Sequence, residues 1–305
     1  MNKLAKLTQI QLDRLIIQAR SSAQTGKLPN YIPLLSNPNR CLDLVIRVHC
    51  NDGQILSAGA EDRRFPFMSL IKPFVLLYLL QQSDRSKALN WVGIKSSEYP
   101  YNSLAQLEID RSKPRNPMIN SGAITLAALL PGDTASACCQ NLCDWLNEFA
   151  GSNLSLDPNM LASVRSLPNP INRAIAHLLH RSGSIDSIET ALDIYQHTSC
   201  ISGTLDDLTK LGLLLAKPQI HVQPIDRQTV NALILTCGLY EDSGMYAVKI
   251  GLPIKSGVSG GLLAIVPGVG AIATYSPPLD PAGNSVAGLW PIEQLAQTFN
   301  LSIFN

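Results

Sequence analysis

The order of strand and helix signals along the chain constrains its fold more than any single motif does. Leu42, Leu44, Ile46 and Val48 alternate with Asp43, Val45 and Arg47, and Asn51-Asp52-Gly53 turns the chain into residues 54–58. That pattern predicts a β-hairpin. Strand character returns only over 247–252, 260–266 and 271–276, the last two joined by the turn Pro267-Gly268-Val269-Gly270. Between these ends the texture from about 84 to 240 is helical, with segments near 120–130, 134–150, 170–182, 186–198, 204–216 and 226–237. Helices are also expected within the first twenty residues and over 285–299. Strands at both ends with helices between them imply an antiparallel sheet built from distant parts of the chain, with a helical subdomain inserted in its middle. The expected fold is α+β, an antiparallel sheet flanked by terminal helices with an inserted helical subdomain. One domain over 1–305 would comprise an α/β part of about 1–83 and 241–305 and a helical part of about 84–240.

Composition narrows the function. With 305 residues, 46% of them hydrophobic, the chain can bury a large core. A formal net charge of +1 supplies no basic field for nucleic acid, and no apolar run reaches membrane-spanning length. Lys3 and Lys6 are followed by Gln9, Gln11, Asp13 and Arg14, which interrupt the continuous apolar core a signal peptide needs. The seven cysteines lack a framework spacing and read as reduced thiols in a cytoplasmic chain. Cys138, Cys139 and Cys143 read as small packing residues beside Leu142 and Trp145, and His177 and His180 as partly exposed helix residues, so no metal site is expected.

Chemistry points to Ser69-Leu70-Ile71-Lys72, followed by the nearly all-apolar run from Phe74 to Leu80. On a helix, side chains three apart share a face, so Lys72 can reach the hydroxyl of Ser69. A lysine serves as a base only when burial keeps part of its population neutral, and the apolar run provides that burial. A serine at a helix N-terminus also has backbone N–H groups at hand for an oxyanion. By itself the pair is a pattern that chance supplies about once in a serine-rich chain, and it could be a capping serine with a snorkelling lysine. Far downstream, Lys255-Ser256-Gly257-Val258 completes the layout of serine acyl-transfer enzymes that use lysine where others use histidine.

The block Pro114-Arg115-Asn116-Pro117-Met118-Ile119-Asn120 carries a closer likeness. With it come Tyr31-Ile32-Pro33, Asn172-Arg173-Ala174-Ile175-Ala176, Cys237-Gly238-Leu239-Tyr240 and Gly251-Leu252-Pro253-Ile254 ahead of Lys255. The segment from Ser276 to Ser285 continues it. Together these motifs resemble the serine-dependent glutaminase family, whose fold is similar to that of β-lactamases and penicillin-binding proteins. The resemblance implies Ser69 as nucleophile, Lys72 as its base and the N–H groups of Ser69 and Val258 as oxyanion donors. It implies Tyr240 as a proton donor to leaving ammonia, Tyr31, Asn120, Asn172 and Tyr195 as substrate contacts, and Lys255 as a supporting residue. It also implies a homodimer or homotetramer acting on glutamine without cofactor.

Two positions depart from the family. Family members carry a glutamate seven residues before the asparagine, where this chain has Arg165; Met68 stands where they usually have glutamine. An arginine there would repel an α-ammonium unless the local loop turned it away. Glutamine hydrolysis is the leading expectation. Against it stand hydrolysis of a related amide whose α-substituent differs, a weakly catalytic ligand-binding relative, and a β-lactamase or transpeptidase.

Overall fold

The computed structural model describes residues 3–59, 63–82 and 85–305. The expected boundary between the α/β and helical parts, at 83/84, lies outside the described residues. The main sheet is five-stranded and antiparallel, in the order β2-β1-β8-β7-β6. Its strands are β1 Val45–Cys50, β2 Ile55–Ala58, β6 Ile254–Ser256, β7 Gly261–Val266 and β8 Gly270–Tyr275. The pairing of Val45 with Tyr275 through Cys50 with Gly270 joins the two ends of the chain. A second sheet, three-stranded, runs β3-β5-β4, from Phe65–Pro66, Ile201–Gly203 and Ser155–Leu156.

Period-two alternation sorts the central strands onto two cores. Ile46 and Val48 of β1, Leu262, Ala264 and Val266 of β7, and Ile272 of β8 pack with the terminal helices Gln9–Ala19 and Val286–Thr298. Val45, Leu263, Ile265, Ala271, Ala273 and Tyr275 face the opposite core, shared with helices Lys72–Gln82 and Leu205–Ala216. A sheet buried on both faces explains why β7 and β8 read as continuous apolar runs. Helix Leu205–Ala216 lies so close that a side chain at Gly212 would come within 2.5 Å of Ala271 Cβ. This is the expected α+β arrangement, with helices Asn120–Ala127, Ala135–Ala150, Pro170–Arg181, Ile188–Ser199 and Pro224–Cys237 in the intervening stretch.

One expectation is overturned. Residues 247–252 do not form a strand: the helix Ser243–Lys249 occupies the first half, and the strand begins only at Ile254. The alternation of Val248 and Ile250 is a helix surface and its end, with Val248 89% exposed and Gly251 in the left-handed region at φ 70°. Ser243 starts that helix by accepting the Leu239 N–H and donating to the Tyr240 carbonyl. The cysteines are all free thiols, with Cys138, Cys139 and Cys143 buried in the core. His177 and His180 sit on the exposed face of Pro170–Arg181. Among the described residues no helix is long and apolar enough to cross a membrane, and no cluster of metal-ligating side chains is found.

Candidate active site

Ser69 lies in a 3-10 turn, Met68–Ile71, that runs directly into helix Lys72–Gln82. The turn is pinned to the small sheet by the Phe67 N–H, which donates to Ile201 O at 2.7 Å. Met68 adopts φ 51°, an uncommon conformation for a residue with a side chain, stored beside the hydroxyl. Behind Ser69, Lys72 is 3% exposed, and burial pushes its amine down to about 7. Its Nζ donates to Asn120 Oδ1 at 2.8 Å and to Met118 O at 3.1 Å. A neutral amine has two N–H groups, so these two acceptors leave its lone pair as the remaining function.

The block around Arg115 builds those acceptors. Asn116, fully buried, accepts the Met118 and Ile119 N–H groups at 2.9 and 3.2 Å and donates to Lys95 O at 2.8 Å. Arg115 is fixed by its ion pair with Asp110 at 2.7 Å. Gly122 lets helix Asn120–Ala127 close on this turn; a Cβ there would fall 2.0 Å from Asn116 O. Asn120 then hands on the order, donating from Nδ2 to Asn172 Oδ1 at 2.9 Å while its own oxygen also accepts from the Tyr195 hydroxyl at 3.3 Å.

On the other side stands Tyr240, held at φ 59°. Its hydroxyl donates to Ser256 O at 3.2 Å and lies near Ser69. Burial, then the neighbouring Tyr101, raises its pKa, and the Ser69 contact opposes that rise. Lys255 is fully buried beneath it, 4.6 Å from the ring centroid, donating to Ser256 O at 2.6 Å and Gly238 O at 3.1 Å. Desolvation, followed by the charge of Lys72, holds the Lys255 amine well below its ordinary value. After β6 the turn at Gly257 and Val258 presses against the nucleophile loop, where a Cβ on Gly257 would lie 2.6 Å from Phe67 O. Neither the Ser69 nor the Val258 N–H has an acceptor among the described residues.

Ser69, Tyr31, Asn120, Asn172, Tyr195 and Val258 line one cavity of about 310 Å³. Lys72, Tyr240 and Lys255 are packed behind its wall rather than lining it. Tyr31 meets Tyr101 hydroxyl to hydroxyl at 3.3 Å. The reading of the sequence missed Tyr101, Asn102, Asn169, Gln196 and Ser199, which also line the cavity. Only Asn169 left a legible signal, as a capping residue ahead of Pro170: its oxygen accepts the Asn172 N–H at 3.0 Å. Met68 lines the cavity with its thioether. Arg165 does not. The last residue of helix Pro158–Arg165, it points outward, ion-paired with Asp193 and donating from Nε to Gln196 Oε1 at 3.3 Å. Arg165 is thus held against Asp193 and Gln196 rather than in the cavity wall, and among the described residues no carboxylate lines the cavity.

Comparison with known proteins fits this geometry. The glutaminase family model matches residues 26–304. A glutaminase of Synechocystis sp. (strain ATCC 27184 / PCC 6803 / Kazusa) is 44% identical over 95% of this chain and 89% of its own length. One from Geobacillus kaustophilus (strain HTA426) is 33% identical over 97% of this chain and 98% of its own. Among solved structures, the covalent complex between the Bacillus subtilis glutaminase YbgJ and 5-oxo-L-norleucine superposes with a TM-score of 0.86. It shares 30% identity, covering 97% of this chain and 99% of that one. The chain therefore belongs to the glutaminase family of amidohydrolases, enzymes of β-lactamase-like fold that convert glutamine to glutamate.

Proposed function

We propose that this chain hydrolyses the side-chain amide of L-glutamine through an acyl-enzyme on Ser69. The observation that carries the reading is a serine hydroxyl at a cavity floor, flanked by a buried lysine whose pKa is about 7. With both N–H groups of Lys72 engaged by Met118 O and Asn120 Oδ1, its lone pair is the base for the Ser69 hydroxyl. Ser69 Oγ adds to the amide carbon as its proton passes to Lys72, and the Ser69 and Val258 N–H groups take the developing oxyanion. The carbon–nitrogen bond then breaks, and the proton returns from Lys72 to the departing ammonia with the Tyr240 hydroxyl as the bridge. Water, deprotonated by the same base, cleaves the ester and releases glutamate. Tyr31, Asn120, Asn172 and Tyr195 hold the substrate, and Lys255 supports the Tyr240 turn. The chemistry uses neither metal nor organic cofactor.

We read residues 1–305 as one catalytic unit, with the helical part of about 84–240 forming one wall of the cavity and the α/β part of about 1–83 and 241–305 the other. We also assign it to the cytoplasm, on its free thiols, and to a homodimer or homotetramer, which light scattering on the purified chain tests. The functional test is ammonia release from L-glutamine by the wild type beside Ser69→Ala. Turnover abolished in a variant that unfolds at the wild-type temperature supports the reading; undiminished turnover rejects it.

A further inference from the structure

Resting on the glutaminase reading of this cavity, we propose that the α-ammonium of the substrate is received by the paired hydroxyls of Tyr101 and Tyr31, which stand in for a carboxylate. Both residues line the cavity, and their hydroxyl oxygens lie 3.3 Å apart. Two oxygens at that spacing can both be reached by one ammonium at an ordinary hydrogen-bond length of about 2.9 Å. Whichever hydroxyl donates in the mutual bond, each oxygen keeps an acceptor position for an incoming N–H. The amide oxygens of the same cavity already serve protein donors. Asn169 Oδ1 takes the Asn172 N–H at 3.0 Å, Asn172 Oδ1 the Asn120 amide at 2.9 Å, and Gln196 Oε1 the Arg165 Nε at 3.3 Å. Each can accept again, but only by sharing its oxygen with that donor.

Tyr101 is held in place from two directions. Its ring packs on that of Tyr240 with centroids 4.8 Å apart, and its carbonyl accepts the Asn120 N–H at 2.8 Å. The hydroxyl is therefore positioned against both sides of the cavity before substrate enters. Burial raises the Tyr101 pKa, its bond with Tyr31 opposes the rise, and the Glu241 carboxylate adds to it. Burial likewise raises that of Tyr31. Both hydroxyls thus stay neutral, and the negative charge that acts on Tyr101 comes from Glu241, in the turn Tyr240–Asp242. A cation seated on these oxygens is attracted by that charge although no carboxylate lines the cavity. Tyr101 thereby becomes a specificity-determining residue, favouring side-chain amides that carry a free α-amino group over those that lack one.

The test is calorimetry with L-glutamine and with glutaramate, the same side-chain amide without the α-amino group, on Ser69→Ala and on Ser69→Ala combined with Tyr101→Phe. The phenylalanine keeps a ring against Tyr240 and removes the hydroxyl alone, and the ratio of the two affinities cancels any change common to both ligands. We expect Ser69→Ala to bind L-glutamine more tightly than glutaramate. That preference should fall at least about tenfold in the double variant, which loses a hydrogen bond to a charged group. Equal binding of the two amides by Ser69→Ala, or a preference that survives Tyr101→Phe, overturns the proposal and leaves glutamine hydrolysis standing. A folded wild type that releases no ammonia from L-glutamine rejects the glutaminase reading beneath it. Should the double variant not fold, Tyr31→Phe, at a residue 47% exposed, replaces Tyr101→Phe: the same fall supports the proposal, and an unchanged preference overturns it.

Discussion

Replacing Lys72 with methionine should abolish activity and shift stability by an amount that depends on pH in a definite direction, more favourable at pH 7 than at pH 9. In the unfolded chain the amine titrates near 10.5; buried, it titrates at about 7. Between these values the unfolded state holds a proton that the folded state does not, so folding is penalised. The penalty is absent above pH 10.5, grows as pH falls and is complete below about 7, where it reaches roughly 5 kcal/mol at 1.36 kcal/mol per pH unit. At pH 9 only about 2 kcal/mol of it is present by the same relation. Methionine removes the whole penalty but strands the Met118 carbonyl and Asn120 Oδ1, which lose donors at 3.1 and 2.8 Å. Each stranded acceptor costs about 1–3 kcal/mol. The net change at pH 7 thus lies between a loss of about 1 and a gain of about 3 kcal/mol, and it is roughly 3 kcal/mol more favourable there than at pH 9, where the variant is destabilised by up to about 4 kcal/mol. Urea unfolding of both proteins at the two pH values measures it. A variant destabilised equally at pH 7 and pH 9 would refute the reasoning, because Lys72 would then have to keep the same protonation in both states.

In the wild type the same titration sets activity: kcat/KM rises with an apparent pKa near 7 and lies roughly 100-fold below its plateau at pH 5. A profile flat between pH 5.5 and 8 contradicts it. Tyr240→Phe removes the hydroxyl that donates to Ser256 O near Ser69 and should lower kcat by about 10²–10⁴ with KM little changed. An effect confined to KM would make Tyr240 a binding residue only. Gly122→Ala drives a Cβ to 2.0 Å from the Asn116 carbonyl and should destabilise the chain by more than about 3 kcal/mol, read as a shift of the urea midpoint.

Much of this architecture was legible because its signals are periodic. The hairpin of β1 and β2, the two-sided apolar strands β7 and β8, and the long helices follow from alternation and capping residues that any reader of the sequence can count. The helix at Ser243–Lys249 was not legible, since its seven residues are too few to show a helical period and its cap depends on a turn at Tyr240. Strands β3, β4 and β5 span two or three residues each, too short for any period to show. At the site, Ser69 and Lys72 share a local spacing, whereas Tyr101 and Gln196 reach the cavity only through tertiary packing. The outward turn of Arg165 depends on Asp193, Gln196 and His197 of a different helix, a contact no local pattern encodes.

The central claim is that Ser69 is the nucleophile. Its most direct measurement is labelling with 6-diazo-5-oxo-L-norleucine, the compound that forms a covalent complex with the Bacillus subtilis relative, followed by peptide mass mapping. The account predicts one adduct, on the peptide carrying Ser69, which disappears in Ser69→Ala. An adduct on another side chain of a chain active on glutamine would contradict it.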